Sequence, residues 1–388
     1  MRTLRARWSA RVFFYSFLLI GLVGLFSPLS YNALPANAMF ECVLLVCAAL
    51  IVKIPKRSVI AFFIGSVLYV GTSYVLMLLF KPAHILDFAQ AYKAFFYIAP
   101  LCLFFGANVF SRSSAVKLLK WLLVMFLAKY AYSIALDLTP RMGTRPGLYV
   151  ENNFELIFLM LMFYILRNDL GRRMVLWFAV LVAIIGLSGS RSSVLALLVL
   201  FYGVFLNRLT LRTFFYMAGL LALGGVAVAI FVLRSDGGGI ESIDRYNFMM
   251  VFLGEVAQWP AWKFLLVSMP LTPLSSYSCQ SLSYYEDLFS FSGDGHCYSV
   301  ILHSYFLRAV FDHGILGLLF LLTFMVMALK KSGYSRIEVV VVLGIVCSSA
   351  LSVSAMNSVF VSLALALAMG LRRPMETQPH DTQPPRTQ

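Results

Sequence analysis

Polar residues are scarce in this chain, and three groups of them combine types that can do chemistry. The first is Gly189-Ser190-Arg191-Ser192-Ser193, a tight turn between two apolar runs. Free N–H groups at a helix start, serine hydroxyls and a guanidinium all favour an anion, so Arg191 and the helix start beside it would make a phosphate-binding corner. The same residues also fit an interfacial arginine with Ser192 or Ser193 as a helix cap, because arginine near hydrocarbon costs on the order of 3 kcal/mol unless it snorkels or pairs. The second group is His303-Ser304-Tyr305-Phe306-Leu307-Arg308, continuing through Asp312-His313-Gly314-Ile315-Leu316-Gly317-Leu318. An imidazole, with a reference pKa of about 6.5, can take a proton from a hydroxyl near neutral pH. His303 stands at the mouth of a helix, where a sugar hydroxyl could arrive from water. Arg308 and Asp312 lie one turn apart and predict an ion pair on one helix face. His313 precedes a helix-weakening glycine and reads as structural. The third group is Asp244-Arg245-Tyr246, with Arg141, Arg145, Glu151, Asn152, Asn153 and Glu155. Arg245 suits a phosphate oxygen or a sugar carboxylate; taken singly, each of these residues also fits a solvated loop charge.

Several chemistries lack their residues. There is no Asp-x-Asp pair to grip a metal-bound nucleotide sugar, and no G-x-x-x-x-G-K-[ST] loop for ATP. Neither H-E-x-x-H nor Gly-x-Ser-x-Gly is present, which removes the simplest membrane protease and esterase readings. The six cysteines include no CxxC pair, so neither a zinc site nor a thioredoxin-type centre is indicated.

The elements that must hold these groups are membrane helices. Of 388 residues, 61% are hydrophobic and only 12% are charged, and the mean hydropathy is +0.85. No ordinary water-soluble domain has that balance. Apolar runs between charged breaks predict an all-α polytopic fold of about twelve spans: 12–30, 36–52, 58–80, 93–110, 117–137, 152–166, 174–189, 193–207, 213–233, 302–329, 337–354 and 356–371. Inside a bilayer the backbone must satisfy its own polar groups, so these runs are helices, and none shows the alternation of barrel strands. The net charge of +14 belongs mostly to one set of loops. With the N-terminus inside, 21 of the 31 lysines and arginines are cytoplasmic, nine face outward, and Lys129 lies within a span. That bias places both termini inside and calls for no nucleic-acid partner. Residues 1–38 also resemble a signal peptide, with Ala36-Asn37-Ala38 as a cleavage site, but the apolar run is long and favours a retained first helix.

The chain therefore divides into helices one to nine (1–233), one large outer loop (234–301), helices ten to twelve (302–371) and a Pro/Gln/Thr-rich tail (372–388) expected to be disordered. Within the loop, 245–269 is apolar enough to lie on the bilayer surface or cap the helices. Cys279 and Cys297 fall there, in what would be an oxidising compartment in a bacterium. A bridge between them would stabilise the loop by roughly 3 kcal/mol; two free thiols are the alternative. The other four cysteines lie in spans as packing residues.

Gly189-Ser190-Arg191 at a helix–helix turn resembles the Gly-Ser-Arg signature of bacterial O-antigen ligases and O-antigen or exopolysaccharide polymerases. The stretch from His303 to Leu318 is similar to that family's second signature, a His-Asn-x-Tyr-Leu start running into Glu-x-Gly-Ile-x-Gly-Leu. The order of the two signatures and the large loop between them match as well, over roughly 185 to 330. Ser304 stands where the family usually has Asn, which alters an orienting hydrogen bond, and Asp312 where Glu is common, which keeps a carboxylate. The resemblance implies a GT-C-like fold in the bacterial inner membrane and metal-independent, inverting glycosyl transfer on the periplasmic face. The donor would be an undecaprenyl-diphosphate-linked saccharide and the acceptor a glycan or lipid A–core. No cofactor is implied, because the donor's diphosphate bond supplies the energy; membrane lipid and other polysaccharide assembly proteins are the expected partners. His303 would be the base, with Arg191 and Arg245 stabilising the leaving diphosphate. Gly189, Ser190, Ser192, Arg145, Ser304, Tyr305 and Arg308 would bind substrate.

Polymerisation of repeat units is the first expectation, and ligation of finished glycan to lipid A–core is the second. A protein-glycosylating relative is a smaller alternative. From another class, a transporter or flippase would place ionisable groups near mid-membrane, where Lys129 and Glu41 are the candidates. The outer-rim position of Arg191, Arg245 and His303 favours surface chemistry.

Overall fold

A computed structural model describes residues 2–27, 32–51, 56–136, 145–150, 152–206, 219, 224–225, 244–267 and 269–371. Every regular element among them is helical. The first eight helices are α1 (Arg2–Phe26), α2 (Ala36–Ile51), α3 (Arg57–Phe80), α4 (Ile85–Phe104), α5 (Arg112–Ala135), α6 (Asn152–Leu166), α7 (Met174–Ser188) and α8 (Arg191–Phe205). Three shorter ones follow, α9 (Asp244–Val256), α10 (Ala261–Leu265) and α11 (Ser276–Ser281), and then α12 (Tyr305–Lys331), α13 (Arg336–Ala350) and α14 (Val359–Gly370). Among the described residues, five helical stretches are long and apolar enough to cross a membrane: Leu4–Phe26, Arg57–Phe80, Arg112–Ala135, Asn152–Ser188 and Tyr305–Lys331. The expected span 213–233 and the tail 372–388 lie essentially outside the described residues.

Two helices form the middle of the bundle. In α6 every residue except Phe154 is buried, and in α14 all are. A helix that is apolar all round needs protein or lipid on every side, and α14 packs against α2, α4 and α6. The outer helices show the complementary pattern: α3 leaves Leu68, Val75 and Leu79 exposed, as a lipid-facing surface would.

Local chemistry sets several ends. Ser111 and Ser190 cap α5 and α8 by accepting from Ser114 N and Ser193 N, and Ser335 and Glu338 form a capping box at α13. Helix α4 begins near residue 85, ahead of the expected 93. There His84 Nδ1 accepts from Leu86 N at 3.3 Å and Asp87 sits in the first turn. A carboxylate complements the helix dipole there, so the charged residues taken as a break are in fact the helix start. The expected span 302–329 is also broken. Gly314 has φ +68° and ψ 176°, and a Cβ on it would lie 2.4 Å from the Leu265 carbonyl oxygen. Only glycine meets both demands, so a two-turn segment, Tyr305–His313, stands apart from the rest of α12.

The described part of the 234–301 loop folds as a cap, with a small core of Phe248, Phe252, Leu274, Leu282 and Ile301 that packs with Phe311 of α12. Cys279 and Cys297 are disulfide-bonded within it, with Cα atoms 5.6 Å apart. Asp87 ties the cap to α4, accepting from Ser290 Oγ at 2.6 Å and Phe291 N at 3.3 Å.

Candidate functional site

The Gly-Ser-Arg turn is built as a hinge between α7 and α8. Gly189 ends α7 in the left-handed region at φ +59°, and Ser190 starts α8 as its N-cap. Asn153 gathers the neighbourhood. Its Oδ1 accepts from Ser190 Oγ at 2.6 Å, Ser192 Oγ at 3.3 Å and Arg145 Nη1 at 3.3 Å. Asn152 adds a bond from Nδ2 to the Ser188 carbonyl at 3.1 Å. Glu155, noted in the sequence as a loop charge, is buried and does a different job. Its carboxylate accepts from Leu148 N, Tyr149 N, Val150 N and Tyr130 Oη, folding 148–150 back over α6 so that Arg145 reaches Asn153. Arg141 and Glu151 lie outside the described residues.

Helix α8 runs antiparallel to α13. A Cβ on Gly203 would meet Val341, and one on Gly344 would meet Val199. Eight residues back from Val199 is Arg191, and eight on from Gly344 is Ser352. At 1.5 Å per residue in both helices, Arg191 stands level with the turn that follows α13. The second motif grips the same turn. Ser304 Oγ donates to the Ala350 carbonyl at 3.3 Å, and Ser354 Oγ donates to the His303 carbonyl at 3.2 Å. Arg308 Nη1 donates to Ser354 Oγ at 2.5 Å. The His303 segment thus grips the turn with which Arg191 stands level.

His303 is held in an unusual backbone. Its φ is +53° and ψ −43°, and Ser304 N donates to the Leu302 carbonyl at 2.5 Å across it. That is a γ-turn of the rare, strained hand. Its half-buried imidazole lies 5.1 Å from the rings of both Phe248 and Tyr285. Arg245 heads the same helix as Phe248, one turn earlier, and is exposed. A non-glycine residue held in such a conformation is a recognised mark of functional sites.

Below His303, one face of the short α12 segment carries Tyr305, Arg308 and Asp312, all buried. The expected Arg308–Asp312 ion pair does not form. Asp312 Oδ2 accepts from Ser299 Oγ, while Arg308 turns to Ser354 and to the Gln90 carbonyl at 3.3 Å. Helical spacing allowed the pair, but groups from other elements outcompeted it. Tyr305 Oη, Arg308 Nε and Asp312 Oδ1 are buried without a hydrogen-bond partner among the described residues. His313 is structural, bonded to the Tyr69 hydroxyl at 3.1 Å and the Ala91 carbonyl at 3.0 Å. In the cap, burial, with Asp87 nearby, raises the Tyr298 phenol above its ordinary pKa.

Arg308 opens into a cavity of about 160 Å³ that it shares with Gln90, Lys93, Ser354 and Asn357. Asn357 bonds the Gln90 carbonyl through Nδ2 at 2.9 Å and accepts from Ala94 N at 3.1 Å. Those two backbone groups pair with each other in an uninterrupted helix, so the amide is inserted into the ladder of α4. Sequence reasoning did not single out Gln90, Ser354 or Asn357; the signal was Ser354, Asn357 and Ser358 close together between two apolar helices. The mid-membrane candidates are both engaged. Lys129 Nζ donates to the Ser27 carbonyl at 2.9 Å and the Tyr132 hydroxyl at 2.8 Å, and Glu41 pairs with Lys93 and accepts from Tyr97 Oη.

Comparison with known proteins finds no matching family model, no similar curated protein and no similar solved structure.

Proposed function

We propose that this chain is a periplasmic-face glycosyltransferase of the bacterial inner membrane that polymerises lipid-linked O-antigen or exopolysaccharide repeat units. On this reading it has twelve spans and a GT-C-like architecture, with both termini cytoplasmic. The acceptor hydroxyl attacks the anomeric carbon of an undecaprenyl-diphosphate-linked saccharide and passes its proton to the His303 imidazole. The bond from that carbon to the phosphate oxygen breaks with inversion, and the electron pair leaves on the diphosphate. Arg191 and Arg245 meet the growing negative charge, where fixed cations act most strongly.

One observation carries the reading: the His303 segment grips the turn at 350–354, with which Arg191 stands level, and His303 itself sits in a strained turn beneath the cap. His303→Ala is expected to abolish transfer in a protein that still folds and inserts; wild-type activity would sink the base assignment. Arg191→Ala should weaken use of the diphosphate donor, and unchanged donor kinetics would make it a helix-end residue. A deletion strain examined by glycolipid gel separates the alternatives. Single repeat units on the core mark a polymerase, unattached polymer on the carrier marks a ligase, and precursor left inside marks a transporter.

A further inference from the structure

Beside the Arg308 cavity lies a larger one of quite different character. Between α2 and α4 runs a groove of about 550 Å³ lined mainly by Leu44, Leu45, Leu86, Phe96 and Pro100. Leu45, Leu86 and Phe96 are exposed at its sides, where lipid would lie. Phe291 of the cap also lines it, and the bond from Phe291 N to Asp87 fixes that part of the cap over α4.

The groove and the polar cavity share two residues, Gln90 and Lys93. An apolar slot therefore adjoins a pocket lined by two cations, Lys93 and Arg308. Lys93 pairs with Glu41, and both side chains are 31% exposed, so the pair is open to exchange. Arg308 is 5% exposed, and its Nε is buried without a partner among the described residues. Asp312 and Glu41 are the acidic groups nearby. Asp312 is held by Ser299, and Glu41 keeps the Tyr97 hydroxyl when Lys93 turns away. A buried guanidinium atom with no acceptor, a lysine on a replaceable partner and an adjoining greasy slot together describe an amphiphile with an anionic head.

We infer that this seam binds a phosphate-bearing polyprenyl lipid, with its chain in the α2–α4 groove and its phosphate between Lys93 and Arg308. The seat is separate from Arg191 and Arg245. It supplies the second lipid-linked partner that joining two carrier-bound saccharides requires. The choice of a polyprenyl chain rests on the transfer reading; the charge and shape argument does not.

The test measures binding alone, on the full-length protein in nanodiscs, by native mass spectrometry and by crosslinking to a diazirine-tagged polyprenyl phosphate. Uncharged polyprenol and inorganic phosphate serve as comparison probes. The tagged lipid should label α2 and α4, and polyprenol and inorganic phosphate should bind far more weakly. Lys93→Gln removes a charged hydrogen bond and should weaken binding about ten- to hundredfold. Ala89→Trp fills the groove without touching a charge and should do the same, which keeps the test open if the lysine variant misfolds. Glu41→Gln frees Lys93 and should leave binding equal or tighter. Equal binding of polyprenol, or wild-type binding by folded Lys93→Gln or Ala89→Trp protein, would overturn the seat. A chain that binds here but does not transfer keeps the seat and loses the catalytic reading. One that transfers without binding here keeps the chemistry and loses the seat.

Discussion

Replacing His303 by glycine and, separately, by alanine separates its backbone from its ring. Both variants lose the imidazole and its contacts with Phe248 and Tyr285, so those losses cancel between them. What remains is the backbone at φ +53°, ψ −43°, closed by the Ser304 N–H on the Leu302 carbonyl. A residue with a Cβ holds such a conformation at a cost of order 1–3 kcal/mol. Glycine avoids it but loses roughly 0.5–1 kcal/mol more chain entropy on folding than alanine. The difference leaves the glycine variant ahead by about 1 kcal/mol. The assay is a pair of unfolding curves on purified full-length protein in one detergent, read beside glycan transfer. His303→Gly should unfold after His303→Ala, with transfer lost in both. An alanine variant as stable as the glycine one would refute the strained turn, and activity in either would refute the base.

Other expectations follow from the same packing. Gly314→Ala meets a positive φ and a backbone oxygen that cannot rotate away, so the cap should loosen; faster limited proteolysis of 244–302 checks it. Cys279→Ser should lower cap stability by about 3 kcal/mol, with reductant reproducing the effect in the wild type; an unchanged proteolysis rate would count against the bridge's role. Asn153→Leu removes the acceptor shared by Arg145, Ser190 and Ser192 and should cut transfer about tenfold while helical content stays unchanged, as circular dichroism would report. Asp87→Ala should free the Ser290–Phe291 segment, seen as new labelling of a cysteine placed at Ser292.

The helices were readable because hydropathy is a local property: 152–166 and 174–189 are nearly the limits of α6 and α7. What escaped was set by distant partners. Arg308 and Asp312 look paired at helical spacing, yet Ser354 and Ser299 claim them. Glu155 reads as a solvated carboxylate until the backbone of 148–150 is wrapped around it. Gly314 was visible as a weak helix former, but the break there becomes necessary only when Leu265 arrives from the cap. The two chemical segments could be named in sequence; that one of them grips 350–354, level with Arg191, follows only from how α8, α12 and α13 pack.

The enclosure of α14 bears on how the chain is assembled. Its 12 residues span only about 18 Å, too short to cross the hydrocarbon alone. It enters by being received, into a space that α2, α4 and α6 leave between them. The seat of α14 is therefore made by helices that precede it in the chain, and α14 completes the core that they enclose.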